Sequence, residues 1–514
     1  MAAYLIGVDL GTSGMKAVLM RSDGPLLRVA ARGYPMHRPF TDWAENDPDD
    51  WFRAFVEVVR ELVEISRVDP AEVKALSIVA QRDPAVLLDI EGRVLGPSIS
   101  WTDRRDQAET EQIYSSFGRQ YLTHVTGVVP IPALMLPNLV WTKRHQPEMW
   151  SQVRTILPPK DYLAFRLTGD IGTDISTPSR SVINDFRTSG WSKEICGEAA
   201  IPMEILPDIK YMPWQARAEL NQSAADLLGL KVGTVLSGGG GDDQSAALGS
   251  GVIDTGDVSA GTGTASCWRL VTDQRQEDSR GLADFAPHVV PDRFLYEMAI
   301  AGTGSSFRWF RDVFGSGAAG MSSFDELVAE AAEVELGSDG LLFYPYLDGS
   351  RLPHFNEDAS GVFFGIRPWH TRAHFVRALL EGVAFLYPPL VDILAGYVSP
   401  IRSITLVDGE AKSQVWNSIK ADVMARPVAT TNVLEAAAVG AAVLAGMACG
   451  EFSSAKHGVD ALVTPGRLYE PEPERSRRYA QARARSEAVY LPLAEAFHAG
   501  NRALAEVPAS GPAR

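Results

Sequence analysis

The sequence predicts an α/β protein built from two large, duplicated domains. Its length of 514 residues suits two domains rather than one. Each half opens on a short turn rich in glycine and threonine between two strand-like runs, at residues 11–14 and 261–264. Four glycines at residues 238–241 lead from a further apolar run into a helix start. The repeated turn indicates that the two halves share one architecture.

The composition limits the class of protein. A net charge of −16 argues against a nucleic-acid-binding or membrane surface, so neither partner is expected. The three cysteines (Cys196, Cys267 and Cys449) lack metal-binding spacing and indicate a reducing compartment, which predicts a cytoplasmic protein. The N-terminus lacks a signal-peptide pattern, and the apolar residues 436–449 are too few to span a membrane and predict a buried, tightly packed helix.

The first turn carries polar groups suited to an anion. Residues 4–8 and 15–20 predict two strands of a hairpin, and Gly11, Thr12 and Ser13 offer backbone N–H groups and hydroxyls between them. Asp9 is suited to a hydrated magnesium ion, and Lys16 to neutralising phosphate charge. A plain β-hairpin without a ligand would show the same pattern.

A second turn of this kind lies roughly one domain length later. It contains Gly261, Thr262, Gly263 and Thr264. Two such turns, one opening each half, predict a fold that closes on one nucleotide between the halves. We accordingly predict domains at residues 1–252 and 253–500, followed by a flexible tail at residues 506–514.

The four-glycine bend leads into Asp242 and Asp243. Consecutive glycines let the backbone approach a ligand closely. A carboxylate in the first turn of a helix lies in the favourable field of the helix N-terminus, where it stays ionised and able to accept a proton. Either aspartate fits this role, and a glycine linker followed by a helix cap is the alternative.

A further polar strip follows a predicted strand at residues 73–80. Gln81, Arg82 and Asp83 stand at its end, and Arg82 can donate to a hydroxyl group while Asp83 accepts from the next. This arrangement predicts a site for a polyhydroxy compound. The alternative is an ion pair at the surface beside a turn.

These and other segments together resemble the FGGY carbohydrate kinase family. The resemblance runs from about residue 4 to about residue 450, and xylulokinase-type members are the most similar. The segments that carry it, in order, are GVDLGTSGMK, WAENDPDDW, WTDRRDQAE, ILPPKDYLAFRLTG, GGGGDDQSAALG, FYPYLDGSRLPH, GVFFGI with HTRAHFVRALLEGVAF, and ADVMARPV with EAAAVGAAVLAG.

The resemblance implies two actin-like, ribonuclease H-like domains with ATP and Mg²⁺ in the cleft between them. It implies phosphorylation of a hydroxyl of a small sugar or polyol, with Asp242 as the general base and Asp9 and Asp242 as metal ligands. The implied substrate residues are Gln81, Arg82, Asp83, Trp101, Asp103 and Asp242. The implied nucleotide residues are Gly11, Thr12, Ser13, Lys16, Gly261, Thr262, Gly263, Gly409, Ala411, Ser413 and Asn417. The sequence is also compatible with a homodimer.

One segment departs from the xylulokinase pattern, and another is interpreted as structural. The order Gln81-Arg82-Asp83 is similar to the Gln-Arg-Glu of glycerol kinase rather than the Met-His of xylulokinase, so the substrate is a ketopentose such as xylulose or a related polyol. Lys160 and Asp161 are interpreted as solvated charges at a helix start.

The second half departs at residues 408–411, where relatives have Gly-Gly-Gly-Ala and this chain has Asp408, Gly409, Glu410 and Ala411. Acidic groups near a polyanion are unfavourable. Three explanations are open: the side chains point away, the loop binds ATP more weakly, or the chain is a catalytically silent sugar-binding relative. Asp9, Thr12, Asp242, Gly261 and Thr262 are all present, as in the family pattern, and they favour an active kinase.

Overall fold

The computed structural model describes residues 3–505 except 25, 263–264, 279, 301, 318–319, 348, 351 and 434. The predicted nucleotide residue Gly263 and the predicted tail at 506–514 lie outside the described residues. The chain divides into two compact units. Unit 1 comprises Met1–Thr255, Arg269–Glu297 and Glu435–Thr464, and unit 2 comprises Gly256–Trp268, Met298–Leu434 and Pro465–Arg514.

Eleven strands form the parts of the two large sheets that concern the site. They are β1 (Tyr4–Leu10), β2 (Gly14–Arg21), β3 (Leu26–Gly33), β4 (Val73–Ala80), β5 (Ala216–Glu219), β6 (Val235–Ser237), β7 (Gly240–Gly241), β8 (Asp257–Thr262), β9 (Ser403–Asp408), β10 (Val428–Thr431) and β11 (Pro465–Tyr469). The principal helices are α1 (Pro48–Ser66), α2 (Pro159–Thr168), α3 (Asp242–Gly249), α4 (Arg372–Ala384), α5 (Gln414–Met424), α6 (Ala436–Ala448) and α7 (Pro473–Ala505).

The chain contains further helices and strands outside these two sets. The helices are Gln107–Phe117, Arg119–Thr126, Met135–His145, Pro147–Trp150, Lys193–Glu198, Gln222–Leu228, Gly304–Phe314, Phe324–Ala332, Tyr387–Ala395 and Ala455–Leu462. The strands are Glu45–Asn46, Val86–Leu88, Ser98–Ile99, Thr155–Leu157, Thr173–Asp174, Asn184–Asp185, Gly190–Trp191, Ile209–Tyr211, Ser266–Thr272, Asp284–Pro287, Phe294–Ile300, Ser316–Gly317, Gly320–Met321, Leu342–Tyr344 and Val362–Phe364.

The sheet of unit 1 has the order β5-β6-β4-β1-β2-β3, and β7 also pairs with β4. β4 runs parallel to β1, β6 and β7, whereas β1, β2 and β3 are antiparallel to one another in turn. The predicted hairpin is confirmed, with Asp9 opposite Lys16 across the pair. The four sheet strands assigned wholly to unit 2 have the order β8-β9-β10-β11. The predicted α/β fold class with two sheet-containing domains is therefore confirmed.

Helix α1 shows why these residues form these elements. The Asp47 side chain caps its first turn by accepting from the N–H of Asp49, and Pro48 occupies the first helical position, where its missing N–H costs nothing. Trp51, Phe55 and other apolar residues at helical spacing are buried in the core of unit 1. The predicted helix and its core face are confirmed.

Helix α6 packs closely because its residues are small. A Cβ atom at Gly440 would lie 1.9 Å from the carbonyl oxygen of Ser245, and one at Gly249 would lie 1.9 Å from that of Ala436. On β1, a Cβ atom at Gly7 would lie 1.9 Å from the carbonyl oxygen of Ala438. Helices α3 and α6 and strand β1 therefore meet backbone to backbone, as the sequence predicted for a buried helix.

One segment of the described chain, Arg372–Ala395, has the length and apolar composition of a membrane-crossing helix. Of the 18 most apolar consecutive residues of this segment, 72% are buried inside the protein. That burial is typical of a core helix, which meets the same criteria of length and composition.

Candidate active site

Three parallel strands of unit 1 end at one edge of its sheet. Leu10 of β1 and Gly241 of β7 are both in register with Ala80 of β4. Gly11, Gln81 and Asp242, the first residues beyond these strands, are therefore brought to the same edge. Carboxyl ends of parallel strands are where open α/β sheets bind their ligands.

The first turn is held by Tyr34, which the sequence patterns did not indicate, and by Trp101, which they did. The Tyr34 hydroxyl donates to the carbonyl oxygen of Gly11, whose own N–H donates to the carbonyl of Gly14 at 3.1 Å. Burial, together with the negative charge of Asp9, raises the pKa of Tyr34, so its hydroxyl stays a donor. The Trp101 indole N–H donates to the Thr12 hydroxyl at 2.7 Å. A predicted substrate residue thus contacts a predicted phosphate residue.

Lys16, predicted to neutralise phosphate charge, has a carboxylate partner in unit 1. Its ammonium group lies 2.7 Å from Glu435, just before α6. The lysine side chain is 51% exposed, so the pair is weak and its cation can be taken over by a stronger anion.

The two aspartates at the start of α3 have different surroundings. Asp243 accepts from Nη2 of Arg82 at 2.9 Å and from Nε of Arg269 at 3.1 Å. Asp242 accepts the N–H of Asp243 at 2.9 Å and forms no ion pair within the described chain. The local sequence pattern fits either aspartate as the base, the family resemblance implies Asp242, and the two side chains differ in their ion pairs.

Electrostatics follow the same division. Burial, followed by the neighbouring charge of Asp243, raises the pKa of Asp242 to about 7. Burial also acts to raise the pKa of Asp243, but the charges of Arg269 and Arg82 outweigh it and hold that pKa well below its usual range. Asp243 is a permanent anion, and Asp242 is a carboxylate able to exchange a proton near neutral pH.

The four-glycine bend rests on a buried charged cluster. The Lys160 ammonium lies 2.7 Å from Asp161 and 3.1 Å from Asp174, and it donates to the carbonyl of Gly238 at 3.2 Å. The interpretation of Lys160 and Asp161 as solvated is wrong, because both side chains are almost fully buried. Buried charges are tolerated when each has a partner, and Arg217 supplies the second cation, 2.5 Å from Asp161.

Ser176 links that cluster to Asp242. Its hydroxyl donates to a carboxylate oxygen of Asp174 and accepts the N–H of Gly241 at 3.1 Å. Gly241 immediately precedes Asp242. The cluster therefore fixes the backbone from which the candidate base projects, and no local sequence pattern marks Ser176 for this role.

The strip at the end of β4 is buried. Nη1 of Arg82 donates to Ser179 at 2.9 Å, and Nη2 donates to Asp243 and, at 2.8 Å, to Glu297. Asp83 accepts from Arg180 at 2.7 Å. The alternative of a surface ion pair is wrong, because Arg82 is only 1% exposed and each charge has partners from distant segments.

Gln81 lies at the same strand end with its amide unsatisfied. The residue is 3% exposed, and neither its amide nitrogen nor its amide oxygen has a hydrogen-bond partner among the residues that the structure describes. Buried amides are nearly always paired with protein, water or ligand. The Gln81 amide is therefore suited to a polar ligand beside Asp242.

The two remaining predicted substrate residues differ from each other. Trp101 is 42% exposed, which leaves its ring accessible. Asp103 is fully buried, accepts from the Ala44 N–H and from Nε of Arg105 at 3.0 Å, and so belongs to a closed cluster. The Arg105 guanidinium stacks 3.5 Å from the centre of the Trp43 ring. The substrate role of Asp103 stays a prediction.

In unit 2, an acidic side chain lies against the strand that leads toward the second predicted turn. Strand β8 pairs with β9 so that Gly261 is in register with Val407. A Cβ atom at Gly261 would lie 2.2 Å from Oδ2 of Asp408, so this carboxylate rests on the glycine backbone. Asp408 has a φ of 65°, a left-handed conformation that favours glycine. All three explanations for the acidic residues at 408 and 410 stay open.

The predicted adenosine residues follow directly. Gly409 and Ala411 lie in the short 3₁₀ turn Gly409–Lys412. Ser413 caps α5 by accepting the N–H of Trp416 at 3.3 Å, and the buried Asn417 donates to the carbonyl of Ala411 at 2.9 Å. The predicted segment thus forms one local unit, with Asn417 fixing the turn.

Within the described residues, no group of three or more His, Cys, Asp and Glu side chains is arranged to hold a metal ion by itself. Magnesium bound to a nucleotide needs only one or two carboxylates, because phosphate and water oxygens complete its shell. Asp9 and Asp242, both at the sheet edge, fit that donor set.

Comparison with known proteins places the chain in a family. Residues 4–249 match the N-terminal domain, and residues 257–449 the C-terminal domain, of the FGGY family of carbohydrate kinases. The chain belongs to this family, and it is a kinase that phosphorylates a sugar or polyol with ATP as the phosphate donor. The resemblance stated from the motifs is confirmed.

Individual relatives agree over nearly the whole chain. The chain is 31% identical to the xylulose kinase of Lactococcus lactis subsp. lactis over 96% of this chain and 98% of that protein. It is 27% identical to the gluconokinase of Bacillus subtilis over 88% of this chain and 89% of that protein. The structure of the xylulose kinase from Rhodospirillum rubrum matches with a TM-score of 0.87 and 29% identity, covering 96% of this chain and 100% of that one.

Proposed function

We propose that this chain transfers the γ-phosphate of magnesium-bound ATP to a hydroxyl of a neutral ketopentose, such as xylulose, or of a related polyol, with Asp242 as the general base. One observation carries the assignment of the base. Of two adjacent carboxylates at the sheet edge, Asp243 is held by two arginines, whereas Asp242 forms no ion pair in the described chain. Only Asp242 is available to accept the hydroxyl proton.

The substrate would lie against the ends of β4 and β7. The unsatisfied Gln81 amide and Nε of Arg82, which also lacks a partner among the described residues, supply hydrogen bonds there. The exposed Trp101 ring supplies an apolar face. The names of the relatives favour xylulose, while the Gln81-Arg82-Asp83 strip favours a polyol.

Phosphate groups would be held by the two turns. In unit 1, Gly11, Thr12, Ser13 and Lys16 would contact them, and in unit 2, Gly261, Thr262 and Gly263. Gly409, Ala411, Ser413 and Asn417 would contact the adenosine. Asp9 and Asp242 would hold Mg²⁺, which supplies neutralisation of the charge on the transferring phosphoryl group. The domain boundaries at residues 252 and 253, the cytoplasmic location and the homodimer stay predictions.

The experiment that tests the proposal measures ADP release by the purified chain with Mg²⁺, ATP and a panel of ketopentoses, polyols, aldonates and glycerol. We expect one neutral compound to stimulate release. Asp242→Asn should lower kcat about 10²–10⁴-fold, the usual contribution of a general base.

Asp243→Asn is the matched comparison, since it removes the neighbouring carboxylate in the same helix turn. It should retain far more activity than Asp242→Asn when both variants are folded by circular dichroism. Equal loss in the two variants would contradict the assignment of the base.

The second hypothesis, a catalytically silent relative, is motivated only by Asp408 and Glu410. No comparison favours it. Calorimetric binding of magnesium-ATP separates the two, because an active kinase requires that binding and a silent sugar-binding protein does not.

A further inference from the structure

The substrate strip contains a cation whose charge is already neutralised by the chain itself. Arg82 is the arginine whose charge acts on Asp242, and its side chain passes directly beside the bend: a Cβ atom at Gly241 would lie 2.5 Å from Cδ of Arg82. In a site for polyhydroxy compounds, a guanidinium group at this place is the natural partner of a substrate carboxylate. A sugar acid can bind here only if Arg82 has N–H groups that its other partners do not use.

The hydrogen bonds of Arg82 leave no fork for a carboxylate. Bidentate pairing uses either Nη1 with Nη2 or Nε with Nη2. Nη2 donates both of its hydrogens, one to Asp243 at 2.9 Å and one to Glu297 at 2.8 Å. Nε alone lacks a partner within the described chain. A ligand can thus receive one hydrogen bond from Nε, which suits a hydroxyl or carbonyl oxygen.

The surrounding charges point the same way. Three guanidinium groups and five carboxyl groups form one connected cluster, so carboxyl groups are in excess by two. The members are Arg82, Arg180 and Arg269 with Asp83, Asp242, Asp243, Asp284 and Glu297. An anionic substrate placed beside Arg82 would lie close to the carboxyl groups of Asp243 and Glu297, and burial leaves repulsion between like charges weakly screened.

Glu297 accepts a hydrogen bond from Nη2 of Arg82, and it lies outside both helix α3 and the segment Gln81–Asp83. It comes from the strand Phe294–Ile300, is 9% exposed, and its second oxygen has no hydrogen-bond partner among the described residues. Burying a carboxylate is costly unless it is paired, so the Arg82 pair is what holds it there. Glu297 takes the position relative to Arg82 that a substrate carboxylate would otherwise take.

We propose that Glu297 is a specificity-determining residue that excludes sugar acids: its carboxylate, paired with Nη2 of Arg82, neutralises this cation and reserves the site for neutral ketoses and polyols. This inference rests on the proposed function for the place of the substrate. It assigns a role to a segment, Arg269–Glu297, that the motifs do not include.

The test compares wild type with Glu297→Gln, which keeps the size of the side chain and removes its charge. Initial rates are measured with D-xylulose, xylitol and D-gluconate, and binding of D-gluconate is measured by calorimetry. We expect wild type to prefer the neutral compounds and to show no gluconate binding. In Glu297→Gln, the ratio of kcat/KM for gluconate to that for the best neutral compound should rise at least about tenfold, equivalent to about 1.4 kcal/mol.

Glu109→Gln is the matched control. Glu109 is also a buried glutamate of unit 1 paired with an arginine, Arg144 at 2.6 Å, but it lies outside the cluster around Arg82. The control should lose stability without changing the ratio. An unchanged ratio in folded Glu297→Gln, an equal change in the control, or a wild type that prefers gluconate would overturn the inference.

Failure of the proposed function gives a different result. If the wild type phosphorylates none of the compounds, the kinase proposal fails, but the calorimetric arm still decides the role of Glu297. Gluconate binding that appears in Glu297→Gln and is absent from wild type and Glu109→Gln supports the exclusion of acids. Identical binding in all three proteins contradicts it.

Discussion

The two glycine-containing turns of this chain began as similar sequences and have different surroundings. In unit 1, the turn at residues 11–14 is held from outside by Tyr34 and Trp101, and every contact stabilises a backbone or hydroxyl group suited to an anion. In unit 2, the Asp408 carboxylate at the end of β9 lies against the backbone of Gly261 in β8, the strand that leads toward the second turn. The first turn is held by two side-chain hydrogen bonds, whereas an acidic side chain lies beside the strand that leads toward the second.

Two turns with similar sequences can therefore have neighbours of opposite character. The unit 1 edge is supported by buried ion pairs that position Asp242, whereas in unit 2 an acid takes a left-handed backbone position suited to glycine. Four experiments test the difference between the two regions, in decreasing order of expected effect.

The support of the unit 1 edge is broken by Lys160→Met. Removing the cation leaves Asp174 and Asp161 with fewer partners in a buried cluster, which should cost about 3–5 kcal/mol of unfolding free energy. Urea unfolding measures it. Lys456→Met removes an exposed lysine paired with Asp460 and should cost at most about 1 kcal/mol. Similar losses in both variants would show that the cluster does not support the bend.

The charge state of Asp242 is tested by pH. Because its pKa is raised to about 7 and a base must be ionised, kcat should fall as pH drops through about 7, roughly tenfold per pH unit below it. Asp243→Asn removes a like charge, so the pKa of Asp242 falls and the acid limb moves to lower pH. Rates between pH 5.5 and 8.5, a range of about three pH units, measure both. A limb that does not move in Asp243→Asn contradicts the coupling.

The opposing charge in unit 2 is removed by Asp408→Gly, with Asp408→Asn as the variant that keeps the bulk. If the carboxylate repels the polyphosphate, both variants should lower KM for magnesium-ATP by up to about tenfold, since removing one contact between like charges near a site is worth about 1.4 kcal/mol. An effect of Asp408→Gly alone would assign the hindrance to bulk. No change in either variant would remove the contrast between the two turns.

The smallest effect is expected from Tyr34→Phe in unit 1. It removes one hydrogen bond to the Gly11 carbonyl, worth about 1 kcal/mol, and should raise KM for magnesium-ATP roughly fivefold. Tyr344→Phe removes a similar bond to the carbonyl of Ser486 in unit 2, 2.7 Å long, and should leave KM unchanged. A KM for Tyr34→Phe equal to that of wild type would show that the turn keeps its shape without this bond.

Local patterns were sufficient where the cause of a structure is local. The first hairpin follows from two apolar runs about a glycine turn, α1 from its cap and apolar spacing, and α6 from its small residues. The polar residues at strand ends were also recognised, because Gln81 and Asp242 directly follow apolar runs. The interpretation of Lys160 as solvated is wrong because its buried partner Asp174 lies outside its helix, on the strand Thr173–Asp174, where no helix-start pattern reveals it.

The sequence was sufficient to predict the fold class, the family and the candidate site residues, because strand, turn and glycine patterns depend on residues that are close in the chain. Tertiary structure alone decided which of Asp242 and Asp243 is available, because the arginines that neutralise Asp243 come from residues 82 and 269. It also decided that Arg82 is occupied by Glu297, 215 residues away. Charge acts through space, so the partner of a buried ion depends on folding and not on spacing along the chain.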